Sequence, residues 1–114
     1  MINYTTYHHE AFPDVLVIEA TGKLDTVTAD YMLDCIQGLI EKGNTKIVID
    51  CEQLNLITSF GLGMLVRANK RMKDKGGAIA IANAHGIVAE SLAIVHFDRL
   101  FNLFPNVEQA ATSF

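Results

Sequence analysis

Lys46 to Lys75 reads KIVIDCEQLNLITSFGLGMLVRANKRMKDK, and the change of pattern inside this stretch decides the fold. Lys46–Cys51 holds the β-branched run Ile47, Val48 and Ile49, which suits a strand covered on both faces of an α/β sheet. Glu52–Thr58 then reads as a loop. From Ser59 the apolar positions lengthen into a helix that runs to about Lys75, with Ser59 as its expected N-cap. Leu62, Leu65, Val66 and Met72 are expected to face the sheet, and Arg67, Lys70, Arg71 and Lys73 to face water. A serine at this point has two readings: it caps the helix and does nothing else, or its hydroxyl carries a phosphate. Free N–H groups and the helix dipole favour that phosphate.

Working outward, Tyr4–His9 and Asp14–Ala20 read as two strands joined by the turn signal Phe12-Pro13-Asp14, and a hairpin is the economical arrangement. Met32, Cys35, Ile36, Leu39 and Ile40 recur at helical spacing within Thr26–Lys42, ended by Gly43-Asn44. After Gly76-Gly77, Ala78–Ala82 reads as a short strand, Asn83–Gly86 as a loop and Ile87–His96 as a helix. Phe97, Leu100, Phe101, Leu103 and Phe104 form an apolar cluster expected to fill the core, with a lipid pocket or a homodimer contact as its other uses. Pro105-Asn106 opens a last short helix through Ala111. The fold class is therefore α/β, a mixed sheet of four or five strands with about four helices packed on it, in one domain spanning 1–114.

Composition narrows the function. At 114 residues and 50% hydrophobic content the chain can bury one core, and its net charge of −4 argues against general nucleic-acid binding. Arg67, Lys70, Arg71, Lys73 and Lys75 are five of the nine basic residues and face only Asp74, so this helix carries +4 and the remainder −8. That patch is either a solvated face whose cations suit the helix C-terminus or a docking surface for an acidic partner. No membrane-length apolar run or signal-peptide pattern is seen, so a cytoplasmic protein is expected. Cys35 and Cys51 have no metal-ligand spacing and are expected to be reduced and buried. His8 and His9 are adjacent on a strand and face opposite sides, which disfavours a shared metal ion, and no cofactor is expected.

Enzyme motifs fail. Ile57 breaks the Gly-x-Ser-x-Gly elbow, Val66 stands where a third glycine would complete a dinucleotide loop, and no Gly-Lys-Ser/Thr loop is present. Gly61 and Gly63 each cost the helix about 1 kcal/mol against Ala, which suggests something approaching the backbone closely. Phe60 is either a core residue or an exposed anchor for a partner.

The segment Leu56-Ile57-Thr58-Ser59-Phe60-Gly61-Leu62-Gly63 resembles the loop of STAS domains, as found in anti-sigma factor antagonists. Gly22-Lys23-Leu24-Asp25 with Thr28-Ala29, Gly76-Gly77 before a strand, and Phe97-Asp98-Arg99-Leu100-Phe101 resemble further segments of that family, in the same order. The chain departs from the pattern at Thr58, where an Asp is usual, and at Phe60, where a small hydroxyl residue is usual. The resemblance implies a partner-switching regulator with Ser59 as its phosphorylation site. Its partners would be an anti-sigma factor with serine kinase activity and a cognate phosphatase, with no direct contact to nucleic acid or membrane. Asp25, Thr58, Phe60, Gly61, Gly63 and Arg67 would be the partner-binding residues, Asp25 lying on the same rim as Ser59. A non-phosphorylated STAS subunit, assembling with itself or with a signalling or transporter complex, is the alternative.

Overall fold

The computed structural model describes residues 2–94 and 101–114. Five strands form one sheet in the order β1 (Ile2–His8), β2 (Leu16–Leu24), β3 (Lys46–Ile57), β4 (Ala78–Ala82) and β5 (Asn102–Phe104). β1 and β2 are the expected hairpin, antiparallel from Ile2↔Gly22 to His8↔Leu16, and every later neighbour is parallel. Its turn uses His9, which is buried and whose Nδ1 accepts from the amides of Ala11 and Phe12 at 3.2 and 3.3 Å.

Side-chain alternation along β2, β3 and β4 sorts the core into two layers. Leu16, Ile18, Ile47, Ile49, Ile79 and Ile81 face one way, where α1 (Ala29–Glu41), α2 (Ser59–Asp74) and α3 (Gly86–Ile94) supply Met32, Ile36, Leu65, Met72, Val88 and Leu92. Val17, Val48, Ala80 and Ala82 face the other way, under Ala110 and Ala111 of α4 (Val107–Thr112). Small residues on that side allow a helix of six residues to lie close to the sheet. Asn106 caps it, accepting from the Gln109 amide at 2.8 Å.

Several expectations need correction. Glu52–Ile57 is strand rather than loop: Leu54 and Ile57 are buried, and the segment stays paired with β2 through Leu24↔Ile57 across two register shifts. Val66 is 39% exposed and points away from the sheet, since Leu62, Leu65 and Met72 already occupy the buried stripe of α2. Cys35 is only half-buried, because it flanks the buried stripe of Met32, Ile36 and Ile40, whereas Cys51 is buried. Of the C-terminal apolar cluster Phe101, just before β5, is core, whereas on the edge strand β5 itself Leu103 is exposed and Phe104 half-buried, since neighbouring side chains there point to opposite faces. Phe97, Asp98, Arg99 and Leu100 lie outside the described residues, as does the end of the expected helix at His96; the helix is described to Ile94. Among the described residues, no helix is long and apolar enough to cross a membrane.

Candidate functional site

The parallel strands β2, β3 and β4 end at one rim of the sheet, where open α/β sheets present their binding groups. There the end of β3 is tied to the end of β2: the Thr58 amide donates to the Leu24 carbonyl at 3.0 Å, and the Thr58 hydroxyl donates to the same oxygen at 3.4 Å. The Thr58 hydroxyl also accepts from the Gly61 amide at 3.3 Å. Thr58, with extended backbone, is therefore the N-cap of α2, and Ser59 is the first helical residue. This corrects the expectation that Ser59 caps, and it changes what Ser59 is free to do. Its side chain is exposed, and among the described residues its hydroxyl makes no hydrogen bond.

Gly61 has the reason the sequence called for. A Cβ there would stand 2.6 Å from the Leu24 carbonyl oxygen and 3.0 Å from the Leu24 Cγ, so only glycine lets α2 seat against the end of β2. Gly63 has no such reason, since a Cβ there would meet nothing within 4 Å. Its missing side chain instead leaves open a depression of about 170 Å³, formed by Ser59, Phe60, Gly63, Met64 and Arg67 of α2 and by Ala29 and Asp30 of α1. Ser59, Gly63 and Arg67 follow one another at i, i+4 and i+8, one stripe along the helix. Phe60 is 52% exposed, an outward contact rather than core. Arg67 is exposed, and among the described residues it forms no ion pair.

Asp25 stands one residue beyond Leu24, on the same rim, but its carboxylate is turned to its own loop. Its Oδ1 accepts from the amides of Val27 and Thr28 at 3.0 and 3.1 Å and from the Thr28 hydroxyl at 3.1 Å. The Thr28 amide, first among these donors, holds the Asp25 carboxyl below its ordinary value. The buried Thr28 hydroxyl, with one proton to give, also lies 2.9 Å from the Lys23 carbonyl oxygen and accepts from the Asp25 amide at 2.9 Å. Asp25 thus braces the entry to α1. The acidic residue that borders the Ser59 depression is Asp30, in the first turn of α1. Its signal in the sequence was its place in the first turn of α1, directly after the rim loop that leaves β2.

On the third loop of the rim, Asn83 takes the left-handed conformation, φ +59°, and donates to Asp50 Oδ1 at 3.0 Å. The ring of His85 is 2.7 Å from the Glu52 carbonyl oxygen. A larger hollow of about 290 Å³ opens where β3 and β4 begin, beside Ser113 and Phe114, and its one cation, Lys46, is held by Asp14 at 2.6 Å. No group of three metal-ligating side chains occurs among the described residues. The rim therefore offers an exposed hydroxyl, an aromatic ring, a cation and a carboxylate around a shallow hollow, a set suited to recognition by another macromolecule.

Known proteins carry the same architecture. An anti-sigma F factor antagonist of Paenibacillus polymyxa is 26% identical over 106 residues, covering 92% of this chain and 88% of its own. An anti-sigma factor antagonist of Mycobacterium paratuberculosis superposes with a TM-score of 0.85 at 23% identity, covering 99% of this chain and 93% of its own. The phosphorylated form of the Bacillus cell fate determinant SpoIIAA superposes with a TM-score of 0.69 at 17% identity, covering 95% and 96%. The model of the STAS domain matches residues 7–110. With β2, β3 and their rim loops all inside that match, the chain belongs to the STAS domain family.

Proposed function

We propose that this protein is an anti-sigma factor antagonist that works by partner switching at Ser59. Unmodified, it binds an anti-sigma factor that also has serine kinase activity and so frees the sigma factor; phosphate on Ser59 ends that binding until a phosphatase removes it. The observation that carries this reading is the division of labour at the start of α2. Thr58 does the capping, which leaves the Ser59 hydroxyl exposed and, among the described residues, without a hydrogen bond, next in sequence to the exposed Phe60.

The physics follows from that placement. Phe60 supplies an apolar anchor at the point of contact. A phosphate on Ser59 brings about −1.5 to −2 charge to the same point. Within a packed interface that charge must be desolvated, and it shares the hollow with the acidic Asp30. In the free protein it sits in water at a helix N-terminus, where the dipole favours it. The modification therefore destabilises the complex relative to the free state, and a few kcal/mol of difference is enough to exchange partners.

The test is intact-mass measurement of the protein from its own cells, with peptide mapping across Leu54–Arg67 and a Ser59→Ala control. Phosphate that maps to Ser59 and vanishes in the control is the expected result. Thr58 and Phe60, which depart from the usual family residues, favour a second reading in which the domain is a constitutive scaffold. That reading gains if no phosphate is found under growth or stress, and if Ser59→Asp leaves partner binding intact while Phe60→Ala weakens it.

A further inference from the structure

β1 is the outer strand of the sheet and pairs with β2 from Ile2 to His8 without a bulge. Its far side therefore carries the backbone N–H and C=O groups of alternate residues, and among the described residues no other strand pairs with them. Such edges are usually blunted by lysine, proline, a bulge, short length or a covering element. The opposite edge follows that rule: β5 is three residues long and leads into α4. β1 does not. Its seven residues, INYTTYH, include no proline, lysine or acid, and Asn3, Thr5, Thr6, Tyr7 and His8 are all exposed.

A second observation points to the same edge. All three tyrosines of the chain flank it. Tyr4 and Tyr31 pack together on the helix side with ring centroids 5.5 Å apart, and Tyr31 remains 56% exposed. Tyr7 lies on the other side and is 40% exposed. Tyrosine is enriched where proteins meet, because it covers apolar area and keeps a hydrogen-bonding tip.

We infer that β1 is a dimer seam, where a second copy of this chain adds its own β1 antiparallel and joins the two sheets into one. Antiparallel pairing across a two-fold axis keeps both helix layers on the same side of the joined sheet. Only residues of like parity can then face each other, so the axis passes through one residue and its copy; Thr5, the centre of the strand, and Thr6 are the registers that put threonine there. The Thr5 register sets Asn3 opposite the partner's Tyr7 and Tyr4 opposite the partner's Thr6. The Thr6 register sets Thr5 opposite the partner's Tyr7 and Tyr4 opposite the partner's His8. In both, threonine meets threonine on the axis, aromatic residues meet polar or β-branched ones, and no like carboxylates or ammonium groups are opposed. This self-complementarity of a neutral strand selects a second copy over a foreign one. The inference does not rest on Ser59 and holds whether or not that serine is modified.

Sedimentation velocity of the full chain over a concentration series tests it, with Thr5→Lys, Thr6→Lys and Tyr31→Glu compared against the wild type. The expected result is a reversible monomer–dimer equilibrium. Each lysine variant would weaken it several-fold, the one on the axis by opposing two cations and the other by setting an ammonium group against a partner tyrosine, with the far-ultraviolet circular dichroism unchanged. Tyr31→Glu, which lies outside the ladder, would weaken it as well, and dimer formation would slow amide exchange within β1. A chain that stays monomeric at every concentration overturns the inference. So does a dimer of equal affinity in all three variants, which would place the contact elsewhere.

Discussion

Gly61 and Gly63 stand two residues apart in the same turn of helix and answer to different constraints. Gly61→Ala drives a methyl group toward backbone, the Leu24 carbonyl, which cannot rotate away. A loss of about 1–3 kcal/mol is expected in urea unfolding. Gly63→Ala meets open space, so the helix gains up to about 1 kcal/mol of propensity. The same methyl group fills part of the depression beside Ser59, so this variant is expected to be more stable and to bind its partner less well. A Gly63→Ala protein that binds like wild type would remove the depression from the recognition surface. Asp25 supports a prediction of a different kind. Its carboxyl titrates below the ordinary value near 3.9 because Thr28 and Val27 donate to its ionised form. Its stabilisation is therefore complete above that ordinary value and is lost as pH falls through the lower folded value. The stability gap between wild type and Asp25→Asn should be open at neutral pH and close in acid, which urea melts at the two pH values would read. A gap that is constant with pH would mean that the brace does not need the charge.

At the scale of elements, α2 and the end of β3 show what the sequence could and could not carry. The start of α2 was legible to within one residue, yet that residue mattered. Thr58 and Ser59 both cap well, and only the tie between Thr58 and Leu24 decides which of them does so. That contact is 34 residues distant in sequence, beyond any local pattern. The extension of β3 was missed because Glu52 and Gln53 interrupt the apolar run. The alternation resumes at Leu54 and Ile57 only if the strand is already known to continue along β2. β5 was hidden for the opposite reason: Leu103 and Phe104 look like core, but on an edge strand one of them turns to water. The recurrent apolar spacing of α1 needed no such help, and Met32, Ile36 and Ile40 are buried as that spacing requires. The cap itself can be tested. Thr58→Ala is expected to destabilise the protein by about 1 kcal/mol, while Thr58→Asp, which restores an acceptor for the Gly61 amide, should stay near the wild type. Equal losses in both variants would move the importance of Thr58 from the cap to its bond with Leu24.

For the whole molecule, the two cysteines give separate reports on how the fold opens. Cys51 sits on the sheet beneath the helix layer, and burial, with the nearby Asp50 charge, pushes its thiol up to about 12. It has almost no thiolate at neutral pH and no route to reagent while the core is closed. Cys35 is half-buried on the flank of α1, with its thiol raised mainly by burial as well, but it lies close enough to the surface to be reached by small local motions. A neutral thiol reagent should therefore label Cys35 first and Cys51 only through global opening, because the single core layer that covers Cys51 joins strands β2, β3 and β4 to α1, α2 and α3. When reclosing is faster than labelling, the Cys51 rate follows the population of the open form. Thr58→Ala should then raise that rate roughly fivefold, matching a loss of about 1 kcal/mol, while the Cys35 rate hardly changes. Mass spectrometry of the labelled peptides over time measures both rates on one sample. If Cys51 were labelled as fast as Cys35, or failed to respond to Thr58→Ala, the end of β3 would open without α2. The rim would then be a locally unfolding unit rather than a part of one cooperative core.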